Sequence, residues 1–375
     1  MHAPRDGPPR GHPVRRPAAV ARGRPLSCRA ARPGGGAAAR VRSASPGARA
    51  VGLVPRTVFL GTPEFAVVSL DALEQLAGAG VVRLIAVVTQ PDRPGHRGRL
   101  TLPPVKVRAL ASGLEVLQPE RLRGHDLDAM IALEPELLVW AAYGNLIPAA
   151  LIDAASGRAV NVHASLLPRW RGAAPVAHAI LAGDLETGVT LMEGTPELDA
   201  GPILVRERVR IDPRETAGEL SERLAQAGAA LLRRELPRYI GGELEAEPQP
   251  ADGVTWARKL TTADGELVWS EPAEAVGRRV RALRPEPGAW TTFRGQRIGV
   301  LAATVLGGPP RQDGTLVLGR SDPAYVPYWG ASRAPHVACG AGWLRLDVVK
   351  PAGRRAMSGE DWANGLRGDD PRVPC

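Results

Sequence analysis

The segment Asn161-Val162-His163-Ala164-Ser165-Leu166-Leu167-Pro168 carries the residues best suited to chemistry. In an extended chain residues two apart point the same way, so Asn161 and His163 share a face. An Asn amide donates neutral hydrogen bonds, and an imidazole holds or passes a proton near pH 7. Such a pair alone is more often structural than catalytic. Thirty-six residues on, however, Leu198-Asp199-Ala200-Gly201-Pro202 offers a carboxylate in a turn-rich loop, able to pair with the imidazole. Ser165 is close by but stands in no G-x-S-x-G elbow, so it is not read as a nucleophile.

The surrounding pattern predicts the frame. From Thr57 onward, short apolar runs (Val58–Leu60, Leu84–Val88, Leu114–Leu117, Leu137–Ala142, Ala159–Val162) alternate with helix-compatible stretches such as Phe65–Leu76. That order predicts an α/β fold: a Rossmann-like, open, mostly parallel sheet with ligands outside the carboxyl ends of its strands. The first strand ends in Gly61-Thr62-Pro63-Glu64-Phe65, without the G-x-G-x-x-G spacing of a dinucleotide site, which disfavours a nicotinamide dehydrogenase. Residues 215–240 place Leu220, Leu224, Leu231, Leu232 and Leu236 at helical spacing. A Gly- and Pro-containing linker follows, then short β segments (Ala289–Phe293, Ile298–Ala302, Thr315–Leu318, Leu344–Val349) around one helix, Ala273–Leu283. The expected division is 1–56 an extension, 57–245 a catalytic domain, 246–252 a linker, 253–367 a small β domain and 368–375 a tail.

Charge narrows the classes. Residues 1–56 hold 12 Arg, no Lys and one acid, Asp6, a net of +11 against +9 for the whole chain, which leaves −2 for the remainder. The folded body is nearly neutral, so any nucleic-acid surface must be a local patch. The Pro-, Gly-, Ala- and Arg-rich extension buries too little to offset ordering and is expected to be disordered. Its composition suits a transit peptide, but its helix breakers favour an unstructured extension or a misassigned start. Three cysteines, Cys28, Cys339 and Cys375, have no zinc or disulfide spacing; no metal is expected, and a reducing cytoplasm is. No apolar run is long enough for a membrane span.

Asn-x-His with Ser-Leu-Leu-Pro, followed by Leu-Asp-x-Gly-Pro, resembles the shared core of the folate-dependent formyltransferases. The strings SLLPRWRGAAP (Ser165–Pro175), GDLETGVTLM (Gly183–Met192), FLGTPEFAV (Phe59–Val67), TQPDRPGHRGR (Thr89–Arg99), PPVKV (Pro103–Val107), AAYGNLIP (Ala141–Pro148) and KPAGRRAMSG (Lys350–Gly359) are similar to the branch that formylates methionyl-tRNA. The resemblance implies Asn161, His163 and Asp199 as the catalytic trio. It implies 10-formyltetrahydrofolate as formyl donor, initiator methionyl-tRNA as acceptor, and an oligonucleotide-binding (OB-like) β-barrel as the C-terminal domain, in a monomer. In the reaction, Asn161 donates to the oxyanion formed when the amine attacks the formyl carbon. His163 assists it or relays the proton, and Asp199 orients His163.

The same resemblance makes Ser165, Leu166, Leu167, Pro168, Ala142, Tyr143, Gly144 and Ile147 the folate-pocket walls, with core packing the competing account of Tyr143 and Ile147. It turns the stretch from Asp92 to Lys106, with Arg93, Arg97, Arg99 and Lys106 among glycines and prolines, from a solvated loop into a tRNA-reading loop. Arg169 and Arg171 flank Trp170, which is suited to stacking on a terminal base. Lys350, Arg354 and Arg355 form a basic cluster on the second domain. The chain departs from the family pattern in three ways. Thr195 and Glu197 stand where an Asp and a Gly are expected, Glu197 adds negative charge two residues before Asp199, and Arg99-Leu100 replaces a basic pair. The competing activities are a sister formyltransferase acting on a small amine, such as glycinamide ribonucleotide or an amino sugar, and a 10-formyltetrahydrofolate hydrolase. A non-catalytic RNA-binding protein is a third.

Overall fold

The structure is a computed structural model that describes residues 54–94, 100–318, 329 and 332–366. The extension up to residue 53, Arg97 and Arg99, and the expected tail lie outside the described residues.

The first module runs β1 (Arg56–Gly61), α1 (Glu64–Gly78), β2 (Arg83–Val88), the short ladder β3 (Arg93–Pro94) with β4 (Leu100–Thr101), and α2 (Pro104–Ala111). It continues through β5 (Val116–Leu117), α3 (His125–Ile131), β6 (Leu137–Ala141), α4 (Ala149–Ala154), β7 (Ala159–His163), α5 (Pro175–Ala182), β8 (Glu186–Glu193), β9 (Ile203–Arg210) and α6 (Ala217–Gly241). The sheet order is β5-β2-β1-β6-β7-β8-β9. Five strands are parallel, and β8 and β9 close one edge antiparallel. Neither β8 nor β9 was expected from the sequence.

Chain order reverses between β1 and β6, and the carboxyl ends of neighbouring strands diverge there into a crevice. Every residue of β6 and β7 is buried, as a central strand covered on both faces requires. One face packs on α1 and α6 through Phe59, Leu70, Leu73, Val139, Leu224 and Leu232. The other packs on α3 and α4 through Val58, Leu60, Met130, Leu138 and Leu151. Helix α6 starts at a capping box in which Thr216 and Glu219 bond reciprocally, and ends at Gly242 with φ +79°.

In the second module α7 (Ala273–Ala282) leads into β10 (Ala289–Phe293), β11 (Gln296–Leu306), β12 (Leu316–Leu318), β13 (Pro335–Ala338), β14 (Trp343–Pro351), β15 (Met357–Ser358) and α8 (Gly359–Asn364). All pair antiparallel in the order β10-β11-β14-β13-β12, with β15 on β14, around a core of Trp269, Val280, Phe293, Leu346 and Trp362. Register shifts near Ala302 bend β11 and curl the sheet. Helix α7 also joins the modules: Arg281 Nη1 donates to the Glu215 carbonyl at 3.0 Å, and Gly218 N to the Arg284 carbonyl at 3.0 Å. Among the described residues no helix is long and apolar enough to cross a membrane.

Candidate active site

The crevice between β1 and β6 opens into a cavity of about 720 Å³. Pro63 and Phe65 line it from the end of β1, Ala142–Leu146 from the end of β6, and Asn161–Ala164 from β7. Gly172–Ala177 and Leu198–Asp199 close one side, and Arg284, Pro285 and Glu286 reach it from the second module. The volume is that of a small-molecule site, with apolar walls and a few convergent polar groups.

Those polar groups are Asn161, His163 and Asp199, only 4, 6 and 9% exposed. A buried polar group is costly unless hydrogen-bonded, and each of the three is. Asn161 Nδ2 donates to Asp199 Oδ1 at 3.3 Å, and His163 Nδ1 lies 3.5 Å from the same oxygen. The other carboxylate oxygen accepts from the Gly172 backbone amide at 2.8 Å. His163 Nε2 lies 2.9 Å from the Trp170 carbonyl, and since a carbonyl only accepts, Nε2 is the donor. One amide hydrogen of Asn161 thus serves Asp199 and leaves a second for a ligand.

Of six non-glycine residues with positive φ among the described residues, three stand at this site: Ala142 (45°), Trp170 (62°) and Asp199 (50°). Each such conformation costs on the order of 1–3 kcal/mol and persists where the surroundings over-determine it. At Asp199 the surroundings include the close passage of Gly201, where a Cβ would strike the Glu193 carbonyl oxygen.

The remaining expected residues separate into groups. Ala142, Tyr143 and Gly144 line the cavity, and burial pushes the Tyr143 phenol up to about 12, so it remains neutral. Ile147 packs into the core instead. Ser165, Leu166, Leu167 and Pro168 are not among the residues that line this cavity. Ser165 Oγ donates to the Arg169 carbonyl at 2.6 Å, Thr190 Oγ1 donates to the Ser165 carbonyl at 2.6 Å, and Leu167 is buried against Met192 and Ile203. This turn sets the path of the loop that follows.

Three expected phosphate contacts are also engaged internally. Arg169 grips Asp184 through Nε at 2.9 Å and Nη2 at 2.6 Å, while Trp170 Nε1 donates to the same carboxylate at 2.8 Å. Arg171 donates through Nε and Nη2 to Gln249 Oε1. Lys106 pairs with Asp92 at 2.7 Å with its side chain only 17% exposed, and this contact holds the Asp92 carboxyl below its usual range. Arg93, Lys350, Arg354 and Arg355 are exposed, and Arg93 Nη2 donates to Gln90 Oε1 at 3.2 Å. Thr195 Oγ1 donates to the carbonyl of exposed Glu197, so the departing residues close a turn ahead of Asp199.

Sequence reasoning missed Gly172, Gln249 and the Arg284–Glu286 wall. The first two act through backbone and amide groups that leave no periodic signal. The third depends on how the modules dock.

A buried Asn, His and Asp at the switch point of such a sheet, followed by an antiparallel second module, define a class, and the sequence matches it in both parts. Residues 55–236 match the formyl transferase family and residues 259–367 its C-terminal domain; the chain belongs to this family. Within it, a methionyl-tRNA formyltransferase of Halorhodospira halophila is 48% identical over 316 residues, covering 84% of this chain and 97% of the relative. That of Chloroflexus aurantiacus is 43% identical over 320 residues, covering 85 and 99%. Among solved structures, a sugar 3N-formyl transferase with dTDP and 5-N-formyl-THF shares the fold at TM-score 0.58 and 15% identity, covering 81% of this chain and 100% of that one. An N-formyltransferase from Helicobacter canadensis, with folinic acid and dTDP-3-aminofucose, does so at TM-score 0.57 and 14% identity, covering 81 and 100%.

Proposed function

We propose that this protein transfers the formyl group of 10-formyltetrahydrofolate to the α-amino group of methionyl initiator tRNA, giving N-formylmethionyl-tRNA for translation initiation. The observation that carries the acceptor is likeness at 43–48% identity running through both modules to relatives named for that substrate. The donor is supported by the 5-N-formyl-THF and the folinic acid present with the two solved formyltransferases of the same fold.

In this reading the amine lone pair attacks the formyl carbon, a C–N bond forms, and the carbonyl electron pair moves onto oxygen. The free amide hydrogen of Asn161 stabilises that oxyanion. His163, oriented by Asp199, gives its Nε2 proton to N10 of the folate as the C–N10 bond breaks and regains one from the attacking nitrogen. No proton is gained or lost overall, and free tetrahydrofolate leaves.

The first module (57–245) performs this chemistry, and the second (253–367), across the 246–252 linker, helps to hold the tRNA. Arg93, Arg97 and Arg99 from the loop and Lys350, Arg354 and Arg355 from the second module supply phosphate contacts. The protein acts in the cytoplasm as a monomer.

The test is formyl transfer from labelled 10-formyltetrahydrofolate with methionyl initiator tRNA, free methionine and glycinamide ribonucleotide as competing acceptors. Label on the tRNA alone is expected. Label on a small amine moves the protein to a sister activity, and formate released without any acceptor makes it a hydrolase.

A further inference from the structure

Between the modules the chain is zipped onto the catalytic loops. Glu247 and Ile203 exchange backbone hydrogen bonds of 2.7 and 2.9 Å. Farther on, Arg171 N donates to the Thr255 carbonyl at 2.9 Å and Ala257 N to the Arg171 carbonyl at 2.7 Å. Gln249 lies between these two contacts, half-buried while Pro248, Pro250, Ala251 and Asp252 around it are exposed.

The Gln249 amide is saturated. Nε2 donates to the Asp199 carbonyl at 2.9 Å and to the Gly201 carbonyl at 2.8 Å. Oε1 accepts from Arg171 Nε at 3.0 Å and Nη2 at 2.7 Å. Two carbonyls demand a donor and a guanidinium demands an acceptor, so the neighbours fix which way the amide points.

This bridge joins the two backbone segments that suspend the Asp199 carboxylate. One end grips the peptide of Asp199 itself, a residue held at φ +50°. The other end grips Arg171, whose neighbour Gly172 donates its amide to Asp199 Oδ2. A shift between the segments would move the carboxylate off Asn161 and His163.

We propose that Gln249 is a positioning residue for Asp199, keeping its loop in register with the Arg171–Gly172 turn. The inference rests on reading Asn161, His163 and Asp199 as the formyl-transfer centre.

The test uses the full chain with Gln249→Met, which keeps length and removes every hydrogen bond, and Gln249→Glu, which keeps an acceptor for Arg171 but turns a carboxylate towards two carbonyls. Kinetics are read together with the ring-nitrogen NMR signals of His163 in protein labelled at histidine. Expected are a loss of kcat of about 10- to 100-fold, KM for both substrates within about twofold, a displaced pH profile of kcat, and moved His163 signals. Wild-type kcat in a folded variant overturns the proposal, as does a loss of kcat with an unchanged pH profile and His163 spectrum. Unfolding of both variants overturns it too, since Gln249 would then be a general strut. If the unsubstituted protein formylates no methionyl-tRNA, the acceptor assignment fails separately, and the His163 signals still decide the role of Gln249.

Discussion

Gly172 and Asp199 share the shortest hydrogen bond that the site carboxylate makes, 2.8 Å from the backbone amide to Oδ2, against 3.3 Å from Asn161 and 3.5 Å from His163. The geometry depends on glycine. Gly172 has φ +115°, and a Cβ there would come 2.7 Å from the Ala257 carbonyl oxygen. Gly172→Ala is therefore expected to push the turn away from Ala257 and lengthen the bond to Asp199. Stability should fall by about 1–3 kcal/mol in urea denaturation. Formyl transfer should fall by at least about tenfold in the fraction that remains folded. A variant that matches the wild type in both would show that the turn can relax.

The side chains of β7 should separate chemistry from folding. His163→Ala removes the proton relay and is expected to lower kcat by about 10²- to 10⁴-fold. Asn161→Ala removes the oxyanion donor and should cost about 10²- to 10³-fold. Both changes shorten a side chain that faces a cavity, so the far-ultraviolet circular dichroism should stay native. Near-normal single-turnover rates in folded His163→Ala would remove the imidazole from the mechanism.

How far the sequence foretold this arrangement differs from element to element. β6 and β7 were legible because strands covered on both faces must be apolar throughout, which made Asn161 and His163 conspicuous inside β7. The antiparallel strands β8 and β9 were not. β9 reads Ile-Leu-Val-Arg-Glu-Arg-Val-Arg, exposing Arg206, Arg208 and Arg210 on alternate positions, but the charged Glu207 between them interrupts the apolar–polar alternation that marks a strand. The internal engagement of Arg169, Arg171 and Lys106 was hidden for a different reason. Their partners Asp184, Gln249 and Asp92 are 15, 78 and 14 residues away, and only the fold decides that they meet. Gln249 was invisible because a single amide between prolines carries no pattern.

Lys106 and the two loop arginines should therefore behave differently towards tRNA. Lys106 Nζ already holds Asp92 at 2.7 Å, so Lys106→Met should leave the salt dependence of tRNA binding unchanged and loosen the base of the loop. Replacing Arg97 and Arg99 with Ala should raise the tRNA concentration needed and reduce the slope of log K against log salt by about two, one for each lost phosphate contact. The folate requirement should not change. Binding titrations at several salt concentrations decide the point, and an unchanged slope in the double variant would place the phosphate grip elsewhere.

The second module carries its own acid sensitivity. His336 on β13 is fully buried with its ring stacked on Trp329 at 4.1 Å. Burial first, then nearby Arg345, lowers its pKa from the ordinary 6.5 to about 4. Between those values the unfolded chain binds a proton that the folded one refuses, so acidification favours unfolding and stability rises with pH across the window. Above about pH 6.5 both states are neutral at this residue, and below about pH 4 both are charged, so the slope vanishes outside it. At about 1.4 kcal/mol per unit the whole effect is bounded near 3 kcal/mol. Urea unfolding of the wild type and of His336→Leu, at pH 7 and pH 4.5, isolates it from the carboxylates that both proteins share. The wild type should lose about 2 kcal/mol more than the variant. Equal losses would mean that the buried imidazole is not the source.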